Sequence, residues 1–443
     1  MTRGRPKLDL DKLVESLVTA SDISLKERLA KKIKDLAYKQ GVYSSSIHDL
    51  YMARGKNEFS GFTVPAVNLR GLTYDLARAI FRVANKNNSG TFIFEIAKSE
   101  MAYTDQSPLE YVAVILAAAV RECYVGPVFI QADHTQVNPK KYKEDPEKEL
   151  DILKKLIQEA IDAGFYNIDI DSSTLVDLTK NSIEKEQELN FEVCAKLTQF
   201  IRQIEPKGIT VSVGGEIGEV GKVNSNPEEL RAFMNGYNQS LRKGRVGISK
   251  ISIQTGTSHG GIVLPDGTIA EVKLDFETLK NLSKLARDEF GLGGAVQHGA
   301  STLPEDAFGK FAEVETLEVH LATQFQNMIF DSKSFPQDLK NRIYAWLKEA
   351  CIAERKPDQT DEQFYYSTRK KAFGKFKNDI MNINQPIRDK IAAELEEKFD
   401  FLFKKLNVIN TKSLVEKYIK VKRVISRSRV GIEAGERDSE GAD

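Results

Sequence analysis

Eight short segments rich in β-branched and aromatic residues alternate with helical segments between residues 57 and 331 of this 443-residue chain. Most of the gaps between them are long enough for a helix and two loops, which parallel strands require. Eight such repeats predict an α/β fold, a (β/α)₈ TIM barrel. A doubly wound open sheet is the alternative, but its nucleotide-binding form needs a Gly-x-Gly-x-x-Gly after the first strand, which this chain lacks. The predicted strands are Phe62–Arg70, Thr91–Ser99, Val128–Gln136, Tyr166–Ser173, Thr210–Gly218, Ser249–Ser258, Gly294–Ser301 and Leu317–Gln324.

The predicted barrel, residues 57–331, lies between two helical segments. Residues 1–56 are charged and helical in pattern, and residues 332–426 form amphipathic helical runs with almost no strand signal. Residues 427–443 are polar and contain glycines, which predicts a disordered tail. Within the barrel, Ser107 followed by Pro108 predicts a helix start, and Thr302 with Glu305 has the spacing of a capping box.

The composition argues against binding to nucleic acid, insertion into a membrane and secretion. Lys plus Arg and Asp plus Glu both number 64, so the net charge is zero and no global field attracts nucleic acid or an anionic membrane. The longest apolar run, Val112 to Val120, is far shorter than a bilayer-spanning helix. The first residues lack an apolar signal core, and three widely spaced cysteines form no disulfide framework. We therefore expect a reduced, cytoplasmic protein.

Histidine is rare in this chain, and its positions are informative. Four of the five histidines, His134, His259, His298 and His320, fall in or just after predicted strands. The carboxyl ends of barrel strands surround the active site, so His134, His259 and His298 are expected to converge there. Three neutral imidazoles that leave one position open are typical of a catalytic zinc site. The alternative for each one alone is a structural, hydrogen-bonded histidine.

Carboxylates accompany these histidines. Asp133 precedes His134, Asp169 and Asp171 end the fourth strand, and Glu216 ends the fifth. Such an acid can exchange a proton with a substrate held by a metal ion, or it can only orient a ligating imidazole. Asp169 and Asp171 share one side of their strand; we favour Asp171 for function, and Asp169 is a candidate for a salt bridge.

Small residues follow two of the histidines, in Thr257–Gly261 and in His298–Thr302. Glycine lets backbone N–H groups approach an anion closely, and the second segment is predicted to lead into a helix N-terminus. Strands 7 and 8 of such barrels commonly supply a phosphate site. A phosphorylated substrate fits this pattern, although tight turns alone also explain the glycines.

These motifs, in this order, resemble the class II metal-dependent aldolases that act on fructose or tagatose bisphosphates. The resemblance spans roughly residues 60–331, the whole predicted barrel. It is carried by an Asp-His pair, an Asp-x-Ser, a Glu-Ile-Gly, a Gly-Thr-Ser-His-Gly and a His-Gly-Ala-Ser-Thr. These stand at residues 131–136, 171–173, 216–218, 256–260 and 298–302.

The resemblance implies a reversible aldol cleavage of a ketose phosphate. A divalent cation, usually zinc, would polarise the ketose carbonyl and stabilise the ene-diolate of dihydroxyacetone phosphate. The metal ligands would be His134, His259 and His298, with Asp171 and Glu216 able to hold a second or displaced ion. Asp133 would exchange a proton with the hydroxyl at the scissile bond, and Glu216, Glu219 and His320 are further candidates for catalysis. Substrate contacts would come from Gly260, Gly299, Ala300, Ser301, His320 and Thr323.

Departures from the family pattern keep alternatives open. The family's Asn-x-Asp-Thr after strand 8 is here His320-Leu321-Ala322-Thr323, so His320 either replaces the Asn as a hydrogen-bond donor or marks a changed substrate. A usual Ser is replaced by Ala97, and the loop after Glu216 leaves the carbon acid unidentified, with Glu219 the nearest candidate. One alternative is a non-catalytic partner subunit of a tagatose-bisphosphate aldolase. Another is a metal-dependent barrel lyase for an unphosphorylated substrate. The added helices also predict a homo-oligomer.

Overall fold

A computed structural model describes residues 9–218, 223–256, 264 and 274–424 of the chain. All eight predicted strands are present, as β2 to β9, and they pair in parallel to form a barrel that the pairing of β4 with β5 closes. The TIM-barrel prediction is therefore confirmed. The strands are β1 (Val42–Ser45), β2 (Val64–Asn68), β3 (Ile93–Ala97), β4 (Gly126–Gln136), β5 (Asn167–Asp171), β6 (Ser212–Glu216), β7 (Lys250–Ile253), β8 (Ala295–Gln297) and β9 (Glu318–Leu321).

Helices connect the strands and extend the barrel at both ends of the chain. In the described residues, none of them is both long and apolar enough to cross a membrane. The helices of the first half are α1 (Leu10–Thr19), α2 (Ile23–Lys39), α3 (His48–Gly55), α4 (Thr73–Lys86), α5 (Lys98–Tyr103), α6 (Pro108–Arg121), α7 (Pro139–Glu144), α8 (Pro146–Ala163), α9 (Ile183–Glu186) and α10 (Glu188–Ile204). Those of the second half are α11 (Pro227–Ser240), α12 (Phe276–Phe290), α13 (Phe308–Glu313), α14 (Thr323–Asp331), α15 (Gln337–Ala350), α16 (Asp361–Thr368), α17 (Ala372–Lys375), α18 (Lys377–Met381), α19 (Gln385–Lys405) and α20 (Lys412–Tyr418).

Local capping signals predict the start of helix α6 correctly and the start of the helix after β8 incorrectly. Ser107 caps α6 as predicted, because its side chain accepts a hydrogen bond from the backbone N–H of Glu110. The capping box predicted at Thr302 and Glu305 is wrong, since two short 3₁₀ turns occupy this stretch and α13 begins only at Phe308. Pro304 lies between the two residues and holds the residue before it in an extended conformation, which prevents a continuous helix.

The N-terminal segment packs under and beside the barrel. It contains the short strand β1, which was not predicted and which pairs in parallel with the first residues of β4. Helix α3 lies at the amino end of the barrel, where the Arg54 guanidinium donates hydrogen bonds to the carbonyls of Phe62 and Thr316, just before β2 and β9. This segment therefore covers the end of the barrel opposite the mouth, which we define as the carboxyl ends of the strands.

The C-terminal helices pack on the flank and the mouth of the barrel. Arg82 of α4 forms an ion pair with Glu396 of α19, with 2.7 Å between nitrogen and oxygen. The ring of Phe373 lies so close to Gly71, just after β2, that a Cβ at Gly71 would overlap it. The amphipathic pattern of residues 361–381 corresponds to several short elements, namely α16, a 3₁₀ turn, α17 and α18. The tail predicted at 427–443 lies outside the described residues.

Candidate functional site

The carboxyl end of β4 is irregular where it enters the mouth. The pairing of β4 with β5 shifts register between Ala132 and Thr135, and His134 has a φ of 41°. Adjacent side chains of a regular strand point to opposite faces, whereas a bulge re-aims one of them. Here both Asp133 and His134 reach groups at the mouth, and the Asp133 carboxylate accepts a hydrogen bond from the backbone N–H of His134 at 2.9 Å. A left-handed backbone at a histidine is unusual and typical of functional positions.

His134 meets two carboxylates from the next two strands. Its Nδ1 lies 3.3 Å from Oδ2 of Asp171 and 3.8 Å from Oε2 of Glu216. Gln136 and Ser173 donate further hydrogen bonds to the Asp171 carboxylate, which fixes its orientation. One ligand atom from each of His134, Asp171 and Glu216 lies within 4.8 Å of the others, and all three side chains are buried. We call these three residues the His134 set.

Charge is concentrated in the His134 set. Burial and the neighbouring carboxylate of Asp171 raise the pKa of Glu216 well above its usual value. Burial alone would lower the pKa of His134, but Asp133 and Asp171 raise it well above normal. One imidazole and two carboxylates, buried and convergent, form a donor set suited to a divalent cation of the zinc type. The residues therefore fit the metal that the sequence implied.

His298 and His320 stand beside this set. The His298 ring centroid is 4.5 Å from that of His134 and 4.1 Å from that of His320. Nε2 of His298 lies 3.0 Å from the Ser252 hydroxyl on β7. Nδ1 of His320 lies 3.3 Å from Oδ1 of Asp133. The structure thus brings together two of the three histidines expected to converge, and it adds His320 from β9.

A network of buried charges lies beneath these rings. The Lys250 ammonium contacts Oδ2 of Asp169 at 2.8 Å, Oε1 of Glu318 at 2.5 Å and the Gln131 amide oxygen at 2.8 Å. Glu318 in turn accepts a hydrogen bond from Nε2 of His320 at 2.7 Å. Asp169 therefore makes the salt bridge for which it was a candidate, while Asp171 faces His134.

Burial and neighbouring charges shift the pKa values in this network. Burial raises the pKa of Asp169 to about 6, although the positive charge of the nearby Lys250 acts to lower it. The same lysine, with His320, lowers the pKa of Glu318 to about 2, although burial opposes this. The pKa of Asp133 is also lowered. Burial alone would raise it, but the positive charges of the His134 and His320 imidazoles hold it well below the usual value. Asp133 is therefore a carboxylate at neutral pH.

Lys250 and Glu318 were not predicted as site residues. A signal for Lys250 was available in the sequence. Residues two positions apart on a strand face the same side, so Lys250 shares the face of Ser252 and places its charge inside the barrel. Glu318 likewise precedes His320 by two residues on β9 and shares its face.

The loops after β8 and β9 meet at the mouth. Gly299 has a φ of 68°, which glycine adopts without strain, and it leads into the 3₁₀ turn Ala300–Thr302 rather than a helix N-terminus. The hydroxyl of Ser301 accepts a hydrogen bond from the backbone N–H of Ala322 at 2.7 Å. Thr323, the first residue of α14, follows directly. Gly299, Ala300, Ser301 and Thr323 therefore belong to one region.

Three predicted site residues fall in the gaps between the described ranges. Glu219, His259 and Gly260 lie outside the described residues. His48, the fifth histidine, is buried at the start of α3, at the opposite end of the barrel from the mouth.

A comparison with protein families identifies one match. The family model described as fructose-bisphosphate aldolase class-II matches residues 55–407. This range includes the whole barrel and most of the C-terminal helices. No curated protein sequence was found that matches the chain.

Solved structures of similar fold include a probable tagatose 6 phosphate kinase from Sinorhizobium meliloti. It is 13% identical with a TM-score of 0.54, and the match covers 80% of this chain and 99% of that chain. A putative fructose-1,6-biphosphate aldolase from Coccidioides immitis is 16% identical, with 82% and 96% covered and a TM-score of 0.48. Fructose-bisphosphate aldolase from Campylobacter jejuni is 22% identical, with 84% and 96% covered and a TM-score of 0.46. At these identities the first of them supports the barrel fold alone.

Proposed function

The chain belongs to the class II fructose-bisphosphate aldolase family, and we propose that it cleaves a ketose phosphate, such as fructose 1,6-bisphosphate, to dihydroxyacetone phosphate and an aldehyde. As an aldolase it is a carbon–carbon lyase. The observation that carries the proposed reaction is the convergence of Asp133, His134, Asp171, Glu216 and His298 at the mouth of the barrel.

We propose that His134, Asp171 and Glu216, with His298 beside them, hold a divalent cation, most simply Zn²⁺. The donor set supports this, because imidazole and carboxylate groups suit zinc. When bound, such a cation polarises a ketose carbonyl and stabilises the negative charge that develops on its oxygen.

Asp133 is the group we assign to proton transfer. Its ionised carboxylate would accept the proton of the C4 hydroxyl while the C3–C4 bond breaks, so that the electron pair stays on the ketone half and the other half leaves as an aldehyde. The reverse reaction returns the proton to the new hydroxyl. His320, with Nδ1 3.3 Å from Asp133, would orient that carboxylate.

We propose that the substrate phosphate contacts the loops after β8 and β9. The support is the meeting of Gly299, Ala300, Ser301 and Thr323, since a backbone turned by glycine exposes N–H groups to an anion. The loss of the family's Asn and Asp beside Thr323 is the observation that favours a different substrate in the same site. A metal-dependent lyase for an unphosphorylated substrate is therefore the second candidate.

The proposal is tested by measuring release of dihydroxyacetone phosphate from fructose 1,6-bisphosphate and tagatose 1,6-bisphosphate. We expect cleavage by zinc-loaded protein, loss of cleavage after chelation and recovery on adding Zn²⁺. Fructose itself serves as the unphosphorylated control. A zinc-loaded protein that cleaves neither bisphosphate, yet stabilises another aldolase, is instead the partner subunit. Cleavage of the unphosphorylated substrate alone would favour the second candidate.

We further propose a cytoplasmic role in carbohydrate metabolism, within glycolysis if the substrate is fructose 1,6-bisphosphate. The three unpaired cysteines support a reducing compartment. The partner we propose is the small-molecule sugar phosphate, together with further copies of this chain in a homo-oligomer, which light scattering tests directly.

A further inference from the structure

One tyrosine enters the barrel from the end opposite the mouth. Tyr51 of α3 is buried, and its hydroxyl donates a hydrogen bond to Oε2 of Glu318 on β9. Burial and the charge of Glu318 raise the pKa of this phenol well above its usual value, so it stays protonated and remains a donor. Residue 51 precedes the family match, which begins at residue 55. The family assignment therefore gives Tyr51 no role.

Tyr51 fixes the plane of the Glu318 carboxylate. The other oxygen, Oε1, accepts hydrogen bonds from His320 at 2.7 Å, from Lys250 at 2.5 Å and from Gln131 at 3.0 Å. In the described ranges, Oε2 accepts a hydrogen bond from Tyr51 alone. The terminal torsion of a glutamate side chain is soft, so donors on a single oxygen leave the carboxylate free to turn. A donor on each oxygen prevents that rotation.

Glu318 in turn holds the ring of His320. A carboxylate only accepts hydrogen bonds, so Nε2 of His320 carries the proton of their contact. With Nε2 anchored, the opposite ring nitrogen faces Asp133, whose Oδ1 lies 3.3 Å from Nδ1. All three of these side chains are buried, so water does not replace a lost contact. A chain of contacts therefore leads from the Tyr51 hydroxyl to the carboxylate that we assign to proton transfer.

The helix that carries Tyr51 is held against the barrel. The backbone of Gly293, just before β8, lies so close that a Cβ there would stand 3.1 Å from the Cβ of Tyr51. One turn further along α3, a Cβ at Gly55 would overlap the carbonyl oxygen of Gly291. Glycine at these positions lets the helix and the loop before β8 approach each other. The phenol of Tyr51 is therefore a fixed part of the barrel interior.

We propose that Tyr51 is a positioning residue for the aldol reaction. Its hydroxyl fixes the Glu318 carboxylate, and this carboxylate fixes the ring of His320. That ring in turn orients Asp133 for proton transfer. The inference rests on the proposed function only in this last step, since the placement of His320 by Tyr51 is independent of what the site cleaves.

The placement of His320 is tested by NMR of protein labelled with ¹⁵N-histidine. The chain has five histidines, and the His320 signal is the one that His320→Asn removes. We expect a strongly downfield Nε2–H proton in the natural protein, as a short hydrogen bond to a carboxylate produces. In Tyr51→Phe this signal should move upfield and broaden. Tyr237→Phe is the matched control and should leave it unchanged, because this buried hydroxyl donates to Thr198 at 3.1 Å instead.

The effect on the reaction is tested with the same variants, loaded with zinc and supplied with fructose 1,6-bisphosphate. For Tyr51→Phe we expect kcat to fall by about 10–100-fold, the usual effect of disturbing a group that orients a catalytic residue, with KM changed by less than about twofold. Tyr237→Phe should keep the natural kcat. A purely structural role would lower the melting temperature of both variants without changing kcat per folded molecule.

An unchanged His320 signal in Tyr51→Phe, or a kcat equal to that of Tyr237→Phe, would overturn the proposal. The natural protein gives an answer without any variant, because the Nε2–H proton of His320 should exchange slowly with solvent. Fast exchange would contradict a fixed ring. If the natural protein cleaves no bisphosphate, the aldolase proposal fails, and the NMR comparison still decides whether Tyr51 places His320.

Discussion

Nζ of Lys250 lies 2.8 Å from Oδ2 of Asp169, and both side chains are buried inside the barrel. The same ammonium contacts Glu318, so one lysine compensates two carboxylates. Both contacts raise the pKa of Lys250 to about 12, although burial opposes this, so the lysine is charged at neutral pH. The Lys250 ammonium is thus a structural counter-charge beneath the site, and a protonated amine cannot act as a nucleophile.

Lys250→Met should lower the free energy of unfolding by about 3–5 kcal/mol, because it leaves buried carboxylates without a counter-charge. Urea unfolding at neutral pH measures the effect. Lys284→Met is the matched control, since Lys284 and its partner Asp288 are largely exposed, and a change below about 1 kcal/mol is expected there. Equal losses in the two variants would contradict a structural role for the buried pair.

Gly214→Ala should destabilise the protein, because a Cβ at Gly214 would overlap the carboxylate of Asp169. The expected loss is about 1–3 kcal/mol, the usual effect of overpacking. Gly309→Ala is the control: it lies in helix α13 with open space around its would-be Cβ, so this variant should be neutral or slightly stabilised. Thermal melts compare the two. A neutral Gly214→Ala would show that the buried ion pair can move aside.

Stability should fall as the pH is lowered from about 6.5 towards 4, and His48 should contribute to the loss. Burial, with the nearby Arg202, lowers the pKa of His48 to about 4, below the value of about 6.5 in an unfolded chain. Between these values the unfolded state binds a proton that the folded state does not, so acid favours unfolding. For this residue the loss is about 2 kcal/mol at pH 5.

His48→Gln should remove this part of the pH dependence, because glutamine does not titrate. Urea unfolding of both proteins at pH 7.5 and pH 5 tests it, with the difference between the two pH values as the readout. Parallel losses in the natural protein and the variant would show that His48 is not responsible.

Asp133→Asn should lower kcat by about two to four orders of magnitude, the usual contribution of a proton-transfer group. The cation of the His134 set should remain, since Asp133 is not part of that set. Steady-state kinetics and metal analysis of the same preparation provide both readouts. Asp177→Asn is the control and should keep full activity, because this loop carboxylate pairs with Lys180 and its side chain is 40% exposed. Full activity in Asp133→Asn would remove this residue from the mechanism.

The barrel and the ends of its strands were predictable because each strand is a short local run rich in β-branched and aromatic residues, and helical segments with capping signals separate the runs. The site followed from this, since His134, Asp171, Glu216 and His298 stand at strand ends that a closed barrel brings together. Non-local pairing was not predictable. The bulge at Asp133 and His134 depends on the register between β4 and β5, which is set by the whole barrel.

The buried network was missed for the same reason. Lys250 and Glu318 are 68 positions apart, and only closure of the barrel makes them neighbours. The capping box at Thr302 failed because a local signal was overridden by Pro304, and β1 is too short, at four residues, to give a periodic signal.

The hydroxyl of Tyr51 in α3 donates a hydrogen bond to Glu318, entering the barrel from the end opposite the mouth. Residue 51 precedes both the first barrel strand and the first residue of the family match. A fragment that begins at residue 57 would keep every side chain at the mouth but would lack Tyr51. Water could then enter from the opposite end of the barrel and reach Glu318, the carboxylate that hydrogen-bonds to His320. We therefore expect the smallest active fragment of this enzyme to include helix α3.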